Sequence, residues 1–342
     1  MPKFTAAYLS TLACALLEQA GTPRRIALRV SEIIVNANLA GHDSHGVMRL
    51  PEYLDQLDRK QIVPSEEPQV THETPATAVM DGRRGWGHYA VDRAMSLAIQ
   101  KARTVGIGAV ALYRCNHAGR MGEYVTEAAQ AGCIGMLMAG LGGTGVGCAA
   151  PYGGRGRYLG TNPMAVGVPS GGEFPFVLDF ATTTVAQGKL KVAQSKHESV
   201  PEGWMLDAEG KPSTRPEDFF EGGTLLPFGG HKGYALSLMT CLMGGLSGVF
   251  QAERSALGGI YVQAADVAAF QPGEGYLKNV RSFLDAIKSA PPAREDQAVL
   301  LPGEPEHLNR LARLRDGIEL PDSVWEQLTA AANSRELHLP TP

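Results

Sequence analysis

The sequence predicts an α/β protein with a mixed sheet flanked by helices and a helical region at its N-terminal end. Three observations lead there. Residues 5–60 carry only the apolar spacing of helices, and from about residue 68 short β-type runs alternate with helical ones. The β-type runs near residues 165 and 176 are joined by "SGGEF", which is short enough for an antiparallel hairpin.

In chain order, "TAAYLSTLACALLEQA" and "RRIALRVSEIIVNANLAG" place apolar residues at i, i+3, i+4 and i+7, which predicts two amphipathic helices. A third, "LPEYLDQLDRK", has Pro51 where a first helical turn tolerates it. Next come the strand-like "TAVMDG" and "IGAVALY", alternating with the helical "HYAVDRAMSLAIQKARTVG" and "MGEYVTEAAQAG". "CIGMLMA" (133–139) reads as a buried strand, and residues 151–190 as strand and loop, with "PMAVGVP" and "PFVLDF" as the strands. Residues 231–250 read as a buried helix. The tail, 305–342, reads as polar and helical, able to pack beside the N-terminal helices.

Composition narrows the function. The chain has 342 residues, 44% hydrophobic and 19% charged, which is ordinary globular composition with ample core. A net charge of −4 with scattered Lys and Arg offers no footprint for nucleic acid or an anionic membrane. Five cysteines, odd in number and with no C-x-x-C pair, suggest neither a disulfide framework nor a zinc ribbon. Glu18 interrupts the first apolar stretch, so it reads as a helix rather than a signal peptide, and "LSLMTCLMGGLSGVF" (236–250) is too short and glycine-rich to span a bilayer. The expectation is a soluble, cytoplasmic protein.

Two glycine- or histidine-rich stretches invite a chemical reading. In "LMAGLGGTGV" (137–146), Gly140, Gly142 and Gly145 have the G-x-G-x-x-G spacing of a dinucleotide fingerprint. That motif needs a helix after the turn and an acidic residue about 20 positions on. Here Pro151, Gly153, Gly154 and Gly156 break any helix, and the next acidic residue is Glu173. The stretch therefore reads as a glycine-rich loop leaving a strand.

The densest polar cluster is "GHDSHGVMRL" (41–50). With Ser44 as N-cap of the next helix, His45 and Arg49 stand at i and i+4 on one face. A guanidinium fork grips a carboxylate while an imidazole exchanges a proton with a neighbouring oxygen, which is the demand of a 2-hydroxy or 2-keto acid. The same residues equally suit a loop histidine and an arginine on a solvated face. No third ligand accompanies His42-x-x-His45, so no metal site is expected. "CNHAGRMGEY" (115–124) and "LGTNPMAV" (159–166) also interrupt apolar surroundings. In "PFGGHKGYAL" (227–236), His231 and Lys232 precede an apolar helix; this suits an anion site and, read alone, an ordinary surface turn.

Taken together, "GHDSHGVMRLPEYLDQL", "CNHAGRMGEY", "APYGGRGRYLGTNPMAVGVP", "FVLDFATTTVAQGKLKVA", "VPEGWMLDAEGKP", "LLPFGGHKGYALSLM" and "LLPGEPE" resemble the type-2 malate/lactate dehydrogenase family, in family order over nearly the whole chain. The resemblance implies a non-Rossmann fold with a mostly antiparallel sheet. It divides the chain into an N-terminal helical region (1–67), an α/β cofactor-binding domain (68–230), and a segment (231–342) that completes the sheet and ends in the helical tail. It implies NAD or NADP as cofactor, a small carboxylate substrate and a homodimer, in agreement with more apolar helix surface in "RRIALRVSEIIVNANLAG" and "GYALSLMTCLMGGLSGVF" than one layer buries.

By the same resemblance His45 matches the proton donor, Ser44 its hydrogen-bonding neighbour, Arg49 the carboxylate fork, and His117 a second histidine beside the nicotinamide that serves as acid/base in some members. Thr161, Gln187 and Gly188 fall at substrate-contacting positions. Ala118, Gly119, Arg120, Asp179, Phe180, Ala181, His231, Lys232, Gly303 and Glu304 fall, with His117, at cofactor-contacting ones. Two departures stand out. "AGLGGTG" replaces a hydroxyl-bearing segment of many members. Lys189, which the resemblance counts with Ser44, His45 and His117 among the catalytic residues, stands where cyclic imino acid reductases of the family are expected to carry aspartate and hydroxy-acid members commonly carry lysine, which favours a 2-keto acid over an imine. The alternatives are such an imine reductase and a catalytically silent cofactor-binding protein.

Overall fold

The structure is a computed structural model, and it describes residues 1–337; the last five positions of the predicted helical tail lie outside the described residues. The N-terminal layer opens with a short strand β1 (Lys3–Phe4) and continues as α1 (Ala6–Gln19), α2 (Arg24–Leu39) and α3 (Leu50–Asp58). Thr5 starts α1 by accepting the Tyr8 N–H on its hydroxyl, as an N-cap should. Leu9, Leu12, Leu16 and Leu17 of α1 pack with Ile26, Val30 and Ile34 of α2 in a core that is sealed by Tyr53 and Trp86.

The α/β part follows as β2 (Gln69–Glu73), β3 (Thr77–Asp81), α4 (Gly87–Val105), β4 (Ile107–Tyr113), α5 (Gly122–Gln130), β5 (Cys133–Gly142), β6 (Met164–Val168) and β7 (Phe176–Phe180). After β7 the chain leaves the main sheet through α6 (Gln187–Ser195), β8 (Met205–Leu206), β9 (Pro212–Ser213), α7 (Pro216–Phe220) and β10 (Thr224–Leu225). It returns as α8 (His231–Gly244), β11 (Phe250–Gln251) and β12 (Ala256–Asp266). The last elements are α9 (Gly273–Lys288), α10 (Glu304–Asp316), β13 (Ile318–Glu319) and α11 (Asp322–Asn333).

The main sheet runs β2-β3-β4-β12-β5-β6-β7, with β11 adding a pairing to β12. All of these pairs are antiparallel except β3 with β4. The mixed, mostly antiparallel sheet is thus present, and the β6–β7 hairpin pairs Met164 with Phe180 through Val168 with Phe176. β12 lies at the centre, pairing with β4 on one side (Val262 opposite Val110) and with β5 on the other (Val262 opposite Leu137). At the N-terminal layer β13 pairs with β1, and α10 and α11 pack on α2 and α3.

Two expectations need correcting. The glycine run is not a loop from Gly140 onward, because β5 continues through Gly142 and pairs with β12 to Leu257. A Cβ on Gly135 would press on Ala128 of α5, whereas one on Gly140 would sit 2.3 Å from the Cys241 backbone nitrogen in α8. Five residues apart on a strand means opposite faces, so Gly140 lets α8 lie directly on the face of the sheet that α5 does not cover. Nor is α8 a buried apolar helix. Its inward stripe is small (Gly233, Ser237, Thr240, Cys241 and Gly244), while Leu238, Met239 and Leu242 face outward. A helix seated this close to a sheet has no room for leucine on the inner side.

Candidate functional site

The 42–49 stretch is built differently from one continuous helix. One 3-10 turn covers Asp43–His45, Gly46 adopts an extended conformation, a second turn covers Val47–Arg49, and α3 begins at Leu50. The expectation of Ser44 as N-cap with His45 and Arg49 on one α-helical face is therefore corrected. The break arises from Asn38, a fully buried side chain of α2. Its carbonyl oxygen accepts the Val47 N–H at 2.8 Å and its amide donates to Asp43 at 2.6 Å. A Cβ on Gly46 would collide with that side chain. Asp43 is also held by the Arg313 guanidinium of α10 at 2.6 and 2.9 Å. The polar loop is thus clamped from both ends of the chain.

What the clamp presents is a cluster of rings. His45 stacks on His117, with ring centroids 5.7 Å apart and planes 14° from parallel. Ser44 Oγ lies 3.1 Å from His45 Nδ1. Tyr53 of α3 brings its hydroxyl to 2.7 Å from His117 Nδ1 and 3.5 Å from His88 Nε2, and Arg49 lies over the Tyr53 ring at 5.8 Å. Gly188, at the start of α6, completes the wall opposite Ser44, where an added Cβ would come within 4.0 Å of the Ser44 Cβ. Gln187 and Lys189 are exposed in the same first turn.

Burial together with nearby positive charge disfavours protonation here. Burial first, then the charges of His42, Arg49 and Arg120, hold the His45 imidazole down to about 4. His117 keeps an exposed edge in the single chain, yet desolvation of its inner side, Arg49 and His45 lower its pKa in the same sense. His88 is completely buried and is depressed furthest. Burial pushes the Tyr53 phenol up to about 12, so it stays a neutral donor. Arg49 gives one amino group to Glu52 at 2.7 Å, while its buried Nε has no partner. A buried N–H without an acceptor is costly, and a ligand carboxylate would satisfy it.

The expected cofactor positions fall in connected patches. Asp179, at the end of β7, accepts the Gly122 N–H at 2.7 Å, and Arg120 approaches the same carboxylate at 3.9 Å. Burial raises the Asp179 carboxyl against the lowering effect of Arg120. Phe180 meets Phe228 edge to face, and Thr182 donates both its backbone N–H and its hydroxyl to the Thr161 carbonyl. These contacts bring Thr161, Phe180 and Ala181 beside the turn that leads into α8. There His231 and Lys232 are exposed at a helix start that no side chain caps. Gly303, at the N-cap of α10, packs on the opposite end of β7 near Pro175 and Val177. Glu304 is occupied by the Leu301 N–H and by Lys288, whereas Glu306, which meets His42 at 3.0 Å, lines a cavity of about 470 Å³ with Arg120 and Gly303.

A dinucleotide fits this donor set. The buried Arg120 Nε has no hydrogen-bond partner, and the uncapped start of α8 beside the Lys232 cation and the His231 ring suits a pyrophosphate. Tyr53, His88 and the Asn38–Asp43–Arg313 clamp escaped the sequence reading. Tyr53 carried the one available signal, since it stands four residues after Arg49. Among the described residues no group of three or more His, Cys, Asp or Glu side chains is arranged to hold a metal, and no helix is long and apolar enough to cross a membrane.

Residues 4–329 match the malate/L-lactate dehydrogenase family profile. The chain is 36% identical to the L-sulfolactate dehydrogenase of Methanothermobacter thermautotrophicus over 334 residues, 95% of this chain and 94% of that one. The solved malate dehydrogenase of Pyrococcus horikoshii superposes with a TM-score of 0.88 at 32% identity, covering 99% of this chain and 97% of the other. The delta1-piperideine-2-carboxylate reductase of Pseudomonas syringae superposes at 0.86 with 28% identity, covering 97% and 100%.

Proposed function

The chain belongs to the malate/L-lactate dehydrogenase family and is an NAD(P)-dependent oxidoreductase of 2-hydroxy acids, and we propose that within it His45 moves the proton while Arg49 holds the substrate carboxylate. The observation that carries this assignment is the unpartnered, buried Nε of Arg49 beside an imidazole that feels its charge. When bound, the nicotinamide supplies or takes the hydride at the substrate's C2. In the reducing direction the carbonyl π bond breaks toward oxygen as the C–H bond forms, and the proton on His45 goes to that oxygen, leaving a neutral imidazole. In the oxidising direction the depressed His45 is already neutral and takes the hydroxyl proton. Burial does most to hold His45 down, and a carboxylate on Arg49 would offset one of the cations that add to it, so substrate binding shifts His45 toward the protonated form needed for reduction.

His117, Ala118, Gly119, Arg120, Asp179, Phe180, Ala181, His231, Lys232, Gly303 and Glu304 are the proposed cofactor contacts, with Ser44, Thr161, Gln187, Gly188 and Lys189 around the substrate. The outward apolar side chains of α8 and of the turn that follows it favour a homodimer, because a monomer would leave Leu238, Met239, Leu242 and Leu246 in water. A monomer mass by light scattering across a wide concentration range would remove that claim. The reaction is tested by following nicotinamide absorbance with NADH or NADPH against oxaloacetate, pyruvate, sulfopyruvate and piperideine-2-carboxylate. Turnover of at least one keto acid in preference to the imine is expected. Preference for the imine would transfer the assignment to imino acid reduction, and cofactor binding without turnover would mark a silent protein.

A further inference from the structure

His117 Nδ1 has two neighbours, and one of them has a fixed role. The Gly119 backbone N–H points at it from 3.4 Å, and a backbone amide only donates. That nitrogen therefore carries a lone pair, and the Tyr53 hydroxyl, 2.7 Å away, must donate to it as well. Having spent its proton, the Tyr53 oxygen is an acceptor toward His88 Nε2 at 3.5 Å, which places the His88 proton on Nε2. The other nitrogen of His88, Nδ1, is buried and unpartnered. The same direction of donation gives it a bare lone pair, which is less costly than an orphaned N–H. His117 Nδ1 and both nitrogens of His88 are thereby assigned from one immovable donor.

We propose that Tyr53 and the Gly119 amide lock His117 as the Nε2–H tautomer, making it a fixed neutral hydrogen-bond donor to the substrate's C2 oxygen and leaving proton transfer to His45. The proposal rests on the 2-keto acid reading for the identity of that oxygen. Tyr53 is a positioning residue in it, acting through His117, and its ring is 1% exposed and wedged edge-on against His88. The ionisable groups facing His117 are Tyr53, Arg49, His45, which stacks on its ring, and His88, which meets it edge to face. Three of these are cations or become cations on protonation, so an imidazolium at 117 is disfavoured by its neighbours as well as by burial. A neutral imidazole that donates from one nitrogen polarises a carbonyl without being consumed as an acid. Gly119 is part of the device: at φ +71°, an added Cβ would stand 2.8 Å from His88 Nε2 and push the amide away.

The test uses the full-length protein, uniformly labelled with 15N, and long-range 1H–15N correlation of its imidazoles at neutral pH, with His117 assigned by its loss in His117→Gln. The expected wild-type pattern is one protonated nitrogen, Nε2, and one bare nitrogen, Nδ1. Tyr53→Phe should mix the two tautomers and lower keto-acid kcat about tenfold with little change in KM. Because a glutamine amide also donates, His117→Gln should retain more kcat than His117→Leu. A protonated Nδ1 or an imidazolium in the wild type would overturn the proposal, as would an unchanged spectrum in Tyr53→Phe or equal loss in the Gln and Leu variants. The spectra contain no substrate, so their failure leaves the keto-acid reading intact, and a protein inactive on keto acids would defeat that reading without touching the tautomer.

Discussion

The stretches Ser44–Arg49 and Gly140–Gly145 both carry spacings that suggest chemistry, and the fold uses them in opposite ways. Around the first, side chains from five separate segments converge: His45 meets His117, Tyr53 reaches both His117 and His88, and the adjoining Asp43 is pinned by Arg313. In the second the absence of side chains is what matters, since the space that a Cβ on Gly140 would fill belongs to the backbone of α8. A motif is informative about function when its side chains find partners far away in the chain. A glycine pattern shows only that something comes close, and here that something is a helix of the same protein.

The sharpest way to break this contrast is His45→Gln, which should lower kcat by roughly 10²- to 10⁴-fold while leaving cofactor affinity and melting temperature near wild type. Steady-state kinetics beside thermal unfolding would show it, and normal turnover in this variant with collapse in His117→Leu would reverse the two histidines' roles. On the glycine side, Gly140→Ala should cost about 1–3 kcal/mol of stability, because β5 or α8 must shift to admit the methyl. A working dinucleotide fingerprint would instead register at Gly145, where an added Cβ meets nothing within 4 Å and costs only the backbone strain of a φ of +68°, which thermal unfolding reads separately. Gly145→Ala should leave NADH affinity, read by fluorescence titration, unchanged; a tenfold loss would return the motif to the cofactor.

The smallest effect is one of pH. His45 is the base for oxidation and its folded pKa, about 4, lies below the ordinary 6.5, so kcat/KM for a hydroxy acid should persist as pH falls through 6.5 and decline only toward about 4. The stability sign is that of a depressed base. The contribution of a neutral buried histidine is complete above about pH 6.5 and is lost as pH falls, by up to about 1.4 kcal/mol per pH unit for each such residue. His45 and His88 share this direction. Urea unfolding at pH 7.5 and pH 5 would check it, and a flat profile would mean that the cluster titrates normally.

The helices α1 to α5 and the β6–β7 hairpin were legible because their signals are local: apolar residues at helical spacing, and a loop that allows one kind of return. The candidate site was legible as a set of residue types but not as a geometry. Asn38 breaks the helix expected at Ser44, and no propensity at positions 43–49 reveals a side chain in the previous helix that captures the Val47 amide. The Tyr53–His117 and Asp43–Arg313 contacts join positions 64 and 270 residues apart, so nothing within a window of sequence records them. α8 misled for a physical reason, since apolar density predicts burial, whereas its closest packing selected small residues and turned the large ones outward.

The central place of β12 has a consequence for how the chain is made. β4 and β5 leave the ribosome early, and the strand that joins them is not complete until Asp266. At roughly 5–20 residues per second, the nascent protein holds two open strand edges for on the order of ten seconds. Those edges, "IGAVALY" and "CIGMLMAGLG", are apolar and uncharged, the kind that pair with whatever strand is nearest. Escape from aggregation during synthesis therefore depends on chain order, and a translational pause before β12 has emerged from the ribosome would prolong the exposure while one after it has paired would not.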